Sequence, residues 1–174
     1  MNEIILAAPE DFPRVRAFYH SLIDEMQSSP YLPGWKKEIY PSDEDLTAAL
    51  DRSEMYLLTA NGEIAGAMAV NCACNEEYDR VSWPTAAAQG EFLVIHMLGV
   101  HPRFSGRGLA KAMVAHALNL GRAARMKAVR LDVLEGNLPA ERLYSGAGFQ
   151  YVDTVEMFYE DTGRVRFRLY ELTL

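Results

Sequence analysis

The spacing of apolar residues changes several times along the chain, and each change predicts a new element. Val15, Tyr19 and Met26 fall on one helical face, whereas apolar and polar positions alternate in residues 165–170 as in a strand. The predicted helices cover about residues 9–26, 42–51, 108–125 and 138–145, and the predicted strands cover about residues 3–7, 55–59, 63–70, 92–100, 128–134, 151–159 and 165–170. This order describes an α/β (α+β) fold with a mixed sheet covered by helices.

Turn and cap residues mark the ends of several of these elements. Asn61-Gly62 supplies the positive-φ pair that a tight hairpin turn requires. Ser42 followed by Asp45 resembles a capping arrangement for the second helix. Residues 30–41 and 72–90 have no regular apolar period and contain prolines, so both segments are predicted to be loops.

Length and composition predict a single domain over residues 1–174, because 174 residues with 49% hydrophobic composition can build one full core. The longest apolar run, residues 92–100, is far shorter than the roughly 20 residues of a membrane-spanning helix. The first residues lack the basic and apolar regions of a secretory signal. We therefore expect a cytoplasmic protein with no membrane partner.

Charge and cysteine content exclude other classes of site. A formal net charge of −7 argues against a nucleic-acid partner, because phosphate binding needs a concentrated basic face. The charge fits a small cationic substrate modestly better. Cys72 and Cys74 have no further cysteine to complete a zinc site or a disulfide framework, so we expect reduced thiols and no metal.

The most informative stretch is a glycine-rich bend between a strand and a helix, residues 98–110. The start of a helix presents unpaired backbone N–H groups and a partial positive charge, which attract phosphate. Gly106 and Gly108 carry no side chain that would keep a pyrophosphate away, and Arg103 and Arg107 add positive charge nearby. A Rossmann fingerprint would need a third glycine three residues after Gly108, and a Walker loop would need Gly-Lys followed by Ser or Thr. Neither is present, and a bend that only turns the chain is the alternative.

The bend resembles the coenzyme A pyrophosphate loop of the GNAT superfamily of N-acetyltransferases, whose pattern is Gln/Arg-x-x-Gly-x-Gly/Ala. The matching positions are Ser105, Gly108 and Ala110. Ser105 departs from the usual Gln or Arg, so the resemblance implies backbone contacts here rather than a side-chain contact. It also implies that the backbone of Leu98 and Val100 pairs with the pantetheine amides as an added strand would.

A second stretch, residues 137–149, resembles the family's Asn-x-x-Ala-x-x-Leu-Tyr-x-x-x-Gly-Phe. Asn137 offers an amide to the pantetheine arm and also makes a reasonable helix cap. Ala140 and Tyr144 lie on one helical face, which places a phenol beside a small gap for the thioester sulfur. By resemblance, Tyr144 is the general acid that protonates the departing thiolate; a core tyrosine is the alternative.

The resemblance implies a GNAT-like fold whose mixed, mostly antiparallel central sheet splays beside the cofactor strand, and acetyl-CoA as the cofactor. The residues that it places at the cofactor are Leu98, Gly99, Val100, Arg103, Ser105, Gly106, Arg107, Gly108, Leu109, Ala110, Asn137, Ala140 and Tyr144. The implied activity is N-acetyl transfer by direct attack to a primary amine of a small molecule or peptide. A non-catalytic acyl-CoA binding or sensing module is the alternative. Family members are often dimers, so a homodimer is a further expectation.

Direct attack requires an unprotonated amine, so a base or a water chain must remove one proton. His96 is the first candidate, because alternation along a strand puts it on the face of Leu98 and Val100 and because an imidazole titrates in the useful range. A hydrogen-bonded core histidine is the alternative for His96. Glu91, at the start of the same strand, is the second candidate base.

Aromatic residues of the two loops are predicted to flank the acceptor, because loops carry substrate choice more often than scaffolds do. These residues are Trp35, Tyr40, Tyr78 and Trp83. They are equally consistent with aromatic lids over the core. The acids Glu76, Glu77 and Asp79 would attract a cationic acceptor or face water.

Overall fold

The strands and helices follow one another in the predicted order. The computed structural model describes residues 2–31 and 34–174. The strands in this part of the chain are β1 (Asn2–Leu6), β2 (Met55–Ala60), β3 (Glu63–Asn71), β4 (Phe92–Val100), β5 (Ala128–Leu134), β6 (Gln150–Tyr159) and β7 (Gly163–Thr173). The helices there are α1 (Phe12–Met26), α2 (Asp43–Asp51), α3 (Leu109–Ala123) and α4 (Leu138–Gly146), with short 3₁₀ turns at Pro9–Asp11, Glu76–Arg80 and Pro102–Phe104. Each predicted element is present, and β7 is longer than predicted.

The strands form one sheet in the order β1-β2-β3-β4-β5-β7-β6. Neighbouring strands are antiparallel except β4 and β5, which run parallel. Parallel neighbours need a long crossover, and α3 supplies it. The sheet is therefore mixed and mostly antiparallel, which confirms the predicted fold class.

The helices cover both faces of this sheet. Met113 of α3 shares a hydrophobic cluster with Ile95 of β4 on one face. Leu22 of α1 shares another cluster with Leu57 of β2 on the opposite face. In the part of the chain that the structure describes, none of the helices combines the length and the apolar character needed to cross a membrane.

Two short sequence motifs adopt the structures that were predicted for them. Asn61 and Gly62 have φ angles of 53° and 84° and turn the chain from β2 into β3. Ser42 Oγ accepts a hydrogen bond from Asp45 N at 3.1 Å, and Asp45 Oδ2 accepts one from Ser42 N at 2.9 Å. This reciprocal capping box starts α2.

The sheet opens between β4 and β5. Their pairing covers only Phe92–Val94 against Ala128–Arg130. Beyond that point β5 remains paired with β7 as far as Leu134, and β4 remains paired with β3 as far as Val100. The two strands therefore diverge towards their C-terminal ends, which confirms the predicted splay.

A buried ion pair fastens the segment between β3 and β4 to the sheet. Arg130 Nε lies 2.8 Å from Glu171 Oε2, and both side chains are almost fully buried. Glu171 Oε1 also accepts a hydrogen bond from Thr85 N at 2.8 Å, and the Arg130 guanidinium lies 4.3 Å from the centre of the Trp83 ring. The irregular segment is thus packed against β5 and β7.

Candidate active site

The bend after β4 has the backbone that its glycines favour. Gly106 and Gly108 have φ angles of 75° and 71°, in the left-handed region, and Gly108 is the residue at which α3 begins. A Cβ atom at either position would meet no atom within 4 Å. Bonding within α3 starts with Ala112 N, which donates to Gly108 O at 3.1 Å, so the preceding N–H groups have no partner inside the helix. Open space therefore lies beside a row of free amides, as a phosphate cradle requires.

A groove of about 680 Å³ runs from this bend to α4. The predicted cofactor residues that line it are Leu98, Gly99, Val100, Ser105, Gly106, Gly108, Leu109, Ala110, Asn137, Ala140 and Tyr144. Arg103 and Arg107 are outside this lining. Their guanidinium groups lie 5.5 and 5.4 Å from the centre of the Phe104 ring, and Arg103 also pairs with Glu63 at 3.0 Å. Part of the positive charge predicted at the bend is therefore already neutralised.

The free edge of β4 presents Leu98 and Val100 to the gap. His101 N donates to Ala65 O at 2.9 Å, so the backbone groups of His101 and Gly99 point towards β3. Backbone groups of successive strand residues point in opposite directions. The N–H groups of Leu98 and Val100 therefore point into the gap, where an added strand would pair with them.

β4 contains a β-bulge in its pairing with β3. Gly99 faces Ala67, but His96 faces Ala69, so two residues of β4 stand opposite one residue of β3. Met97, inside the bulge, has a φ of 54°. A bulge of this kind bends the strand and interrupts the alternation of its side chains.

The bulge separates His96 from the residues that follow it. Ile95, Leu98 and Val100 all pack in the hydrophobic cluster under α3. His96, adjacent to Ile95, points to the opposite face of the sheet. The prediction that His96 shares a face with Leu98 and Val100 is therefore wrong, because it assumed unbroken alternation.

A smaller cavity of about 100 Å³ adjoins the groove. The residues that line both spaces are Leu98, Asn137, Ala140 and Tyr144. Others that line only the smaller cavity include Trp35, Tyr40, His96, Asp132, Tyr159 and Asp161. Tyr144 thus stands at the junction between the groove and this smaller cavity.

Helix α4 holds Tyr144 at the junction. Asn137 Oδ1 accepts a hydrogen bond from Ala140 N at 3.4 Å, which caps the helix and leaves the amide hydrogens of Asn137 for the groove. The Tyr144 side chain is only 7% exposed, and its ring packs edge-on against Phe149. Burial, helped by the negative charge of Asp132, raises the pKa of Tyr144 well above its ordinary value. The hydroxyl therefore keeps its proton at neutral pH.

Two acceptors fix the His96 ring in the smaller cavity. Nε2 lies 2.9 Å from Asn71 Oδ1 and 3.0 Å from Ala73 O. Asn71 Nδ2 donates to Glu54 Oε2 at 2.9 Å, which identifies Oδ1 as the acceptor. The hydrogen of the neutral ring is therefore on Nε2, and Nδ1 keeps its lone pair. Burial lowers the pKa of His96 and the charge of Asp132 opposes that effect, so the ring is neutral at pH 7 and able to take a proton.

Asp132 lines the same cavity and was missed by sequence reasoning. Tyr78 donates a hydrogen bond of 2.7 Å to Oδ2, and the Tyr159 hydroxyl lies 3.0 Å from Oδ1. Removal from bulk water raises the pKa of Asp132, whereas the hydrogen bond from Tyr78 and the nearby His96 lower it. The sequence did contain a signal for Asp132, because this carboxylate lies between apolar neighbours in a predicted buried strand. An acidic residue is rarely buried in such a strand without a partner or a role.

Asp161 contributes a second carboxylate from the turn between β6 and β7. It is only 5% exposed, and Oδ1 is buried with no hydrogen-bond partner among the described residues. Burial raises the pKa of Asp161, while the N–H groups of Asp161 and Thr162 lower it. No signal in the sequence could have found it, because Asp, Thr and Gly are ordinary residues of a hairpin turn.

The comparison with known proteins agrees with this geometry. The sequence model of the acetyltransferase (GNAT) family matches residues 16–149 of this chain. The chain belongs to this acetyltransferase family. A GNAT-family acetyltransferase structure from Streptococcus agalactiae is similar with a TM-score of 0.81 and 21% identity, over 99% of this chain and 95% of that one. Arabidopsis thaliana NAA60, in complex with acetyl-CoA, is similar with a TM-score of 0.69 and 19% identity, over 100% of both chains.

One curated relative of this GNAT protein matches in sequence. Mycothiol acetyltransferase of Acidothermus cellulolyticus is 38% identical over 64 residues. The match takes in 37% of this chain and 20% of that protein, so the chain spans about a fifth of the length of this relative.

The four aromatic residues predicted to flank the acceptor have different places in the GNAT fold. Trp35 and Tyr40 line the smaller cavity. Tyr78 is fully buried behind that cavity, where only its hydroxyl reaches the cavity wall at Asp132. Trp83 lies against Arg130 and is not among the described residues of either lining. Trp83 therefore acts as an aromatic lid over the core.

Glu91, the second candidate base, lies at the wrong end of β4. It directly precedes the part of β4 that is paired with β5. Its carboxylate lies 2.6 Å from Lys127 Nζ and accepts a hydrogen bond from Ala88 N at 2.9 Å. The structure thus leaves His96 as the better placed of the two candidates.

The two cysteines are not among the described residues that line the smaller cavity. Cys72 and Cys74 are free, and burial raises the pKa of both thiols, which lowers their thiolate content. The acids Glu76, Glu77 and Asp79 are not among the described residues that line the smaller cavity. Within residues 2–31 and 34–174, no cluster of three or more His, Cys, Asp or Glu side chains is arranged to hold a metal ion.

Proposed function

We propose that this protein transfers the acetyl group of acetyl-CoA to a primary amine of a small molecule or peptide by direct attack. The position of Tyr144 carries the proposal, because Tyr144 borders both the groove that starts at the glycine bend and the cavity that contains His96. A donor bound along the groove and an acceptor bound in the cavity would meet at this residue.

The groove offers the contacts that acetyl-CoA needs. The free N–H groups at the start of α3 would bind the pyrophosphate, and Gly106 and Gly108 leave room for it. The inward-pointing C=O of Leu98 and the backbone groups of Val100 would pair with the pantetheine arm, which leaves the Leu98 N–H for the acetyl group. The acetyl-CoA complex of the structurally similar NAA60 supports this assignment of the cofactor.

Acetyl-CoA supplies an acetyl group activated as a thioester. Transfer forms a bond between the acceptor nitrogen and the carbonyl carbon and breaks the bond to sulfur, so one proton must leave nitrogen and one must reach sulfur. His96 Nδ1 takes the first proton. Asp132 then stabilises the protonated ring, because its negative charge raises the pKa of His96.

Tyr144 supplies the second proton. Its raised pKa keeps the hydroxyl protonated until sulfur takes on negative charge. The N–H of Leu98, which points into the gap, would stabilise the charge that develops on the carbonyl oxygen. Proton exchange with solvent restores both His96 and Tyr144 for the next turnover.

Calorimetric titration with acetyl-CoA, beside dephospho-CoA and NADH, tests the cofactor, and thiol release with a panel of amines tests turnover. We expect tighter binding of acetyl-CoA than of NADH, and thiol release that depends on an amine. Binding without release for every amine would favour the non-catalytic acyl-CoA binding module. No binding would mean that the bend only turns the chain. The single-domain organisation, cytoplasmic location and homodimer remain predictions.

A further inference from the structure

Among the described residues, the lining of the smaller cavity contains two carboxylates but no lysine or arginine. Asp132 and Asp161 both line it, and neither forms an ion pair with any described Lys, Arg or His. Lys36 is exposed and close enough to lower the pKa of Asp161, but it does not pair with it in the structure. Burying a carboxylate without a counter-charge costs free energy. A carboxylate that lines a cavity without a cationic partner is therefore suited to bind a cationic ligand.

The two carboxylates differ in what already satisfies them. Tyr78 and Tyr159 donate their hydroxyl hydrogens to Asp132, on the wall that also carries His96. Asp161 is 5% exposed, and its Oδ1 accepts no hydrogen bond from the described residues. Asp132 is therefore held in place by the protein, whereas Asp161 retains an unused acceptor.

Asp161 lies near Leu134, at the C-terminal end of β5. A Cβ atom placed on Gly34 would lie within 4 Å of atoms of Thr162, Leu134 and Asp161. These three residues therefore lie together at the end of β5. Leu134 follows Asp132 by two residues, which corresponds to about 7 Å along a strand. A ligand that reaches both carboxylates would therefore need two polar groups several bonds apart.

Aromatic rings form the wall between these positions. Trp35, Tyr40 and Tyr159 line the cavity, and the rings of Tyr40 and Tyr159 lie 5.4 Å apart between centroids. Aromatic faces attract cations and also pack against a short aliphatic chain. The wall suits a chain of methylene groups that ends in an ammonium or guanidinium group.

We infer that the acceptor carries a second cationic group besides the amine that is acetylated, and that Asp161 binds this second group. The inference rests on the proposed function, since it takes the smaller cavity as the acceptor site. The acceptor class is then a diamine or an amine with a guanidinium group, and Asp161 is a specificity-determining residue.

Binding is tested apart from turnover. The protein, saturated with coenzyme A, is titrated by calorimetry with α,ω-diamines of three to six carbons and with n-alkylamines of the same lengths. We expect at least one diamine to bind about tenfold or more tightly than its alkylamine partner, the size expected of a charge-assisted hydrogen bond. Asp161→Asn should reduce that preference to about twofold or less, since the amide carries no charge. The matched control is Glu160→Gln, an exposed carboxylate in the same turn, which should keep the preference.

Three results would overturn the inference: no diamine binds, diamines and alkylamines bind equally, or Asp161→Asn keeps the preference of the unsubstituted protein. Thermal unfolding of Asp161→Asn checks that the variant is folded. Thiol release measured on the same samples separates this inference from the proposed function. Diamine binding without thiol release would support the cationic site while contradicting the acetyl transfer.

Discussion

The hydroxyl of Tyr78 donates a hydrogen bond of 2.7 Å to Oδ2 of Asp132. Tyr78 belongs to the segment between β3 and β4, and Asp132 lies in β5, so this bond ties an irregular segment to the wall of the smaller cavity. It also keeps a carboxylate beside His96, whose pKa that negative charge raises. The basicity of His96 therefore depends on a residue in the neighbouring strand.

We predict that Asp132→Asn moves the rising limb of the pH profile of kcat/KM to lower pH. The limb reports the pKa of His96, because the neutral ring is the form that takes the proton. Burial lowers this pKa, and the charge of Asp132 is the largest of the effects that raise it, ahead of the hydrogen bond to Ala73 O and the charge of Glu54. Removing the Asp132 charge therefore lowers the pKa of His96 further. A smaller kcat is also expected, since the protonated ring loses its stabilising partner.

Steady-state kinetics across the pH range would measure this shift. His96→Ala is the reference variant and should lose the limb altogether. If the limb of Asp132→Asn stays in place or moves to higher pH, the charge of Asp132 does not raise the pKa of the catalytic base.

Tyr144→Phe is predicted to lower turnover by about a hundredfold or more, within the range typical of a lost general acid. The ring and its packing against Phe149 are kept, so the affinity for acetyl-CoA should change little. Thiol release measures the first effect and calorimetry the second. Tyr151→Phe, which removes an exposed hydroxyl, is the matched control. Equal turnover of the Tyr144 and Tyr151 variants would remove Tyr144 from the mechanism.

Local sequence signals were enough to predict the elements and the glycine-rich bend. Asn61-Gly62 and the Ser42 cap act through contacts within a few residues, so their effects can be predicted from the sequence. Gly106 and Gly108 mark the bend in the same way, whereas the backbone contacts expected along β4 came from the resemblance to the GNAT superfamily.

The acceptor cavity depends on contacts between residues that are distant in the chain. Asp161 reaches it only because β6 and β7 fold their turn towards the end of β5, which no local pattern encodes. The bulge at Met97 also escaped prediction, since an apolar run gives no sign of an extra residue in a strand pair. His96 was consequently identified as a candidate but placed on the wrong face.

Gly108→Val is predicted to weaken acetyl-CoA binding by about tenfold or more, because a side chain would enter the space beside the free amides of α3. The substitution also places a branched residue at a φ of 71°, which should lower the free energy of unfolding by about 1–2 kcal/mol. Gly62→Val is the matched control, since Gly62 has a φ of 84° and equally open surroundings in a turn outside the groove. Calorimetry and thermal unfolding should show similar stability losses but an affinity loss only at Gly108. Equal affinity in both variants would refute the cradle.

The buried ion pair between Arg130 and Glu171 joins β5 to β7, and its loss should lower the free energy of unfolding. Glu171→Gln leaves the guanidinium of Arg130 buried without its counter-charge, and breaking a buried pair in this way costs about 3–5 kcal/mol. For a chain of 174 residues, such a loss corresponds to a fall in Tm on the order of 10 °C.

Glu91→Gln removes the same charge from a pair that is about half exposed, with Lys127, and should lower the stability far less than Glu171→Gln does, because water screens an exposed pair. Thermal unfolding of both variants gives the comparison. A Glu171 variant as stable as the Glu91 variant would mean that the packing of the Arg130 guanidinium against Trp83, rather than the ion pair, holds the segment between β3 and β4 to the sheet.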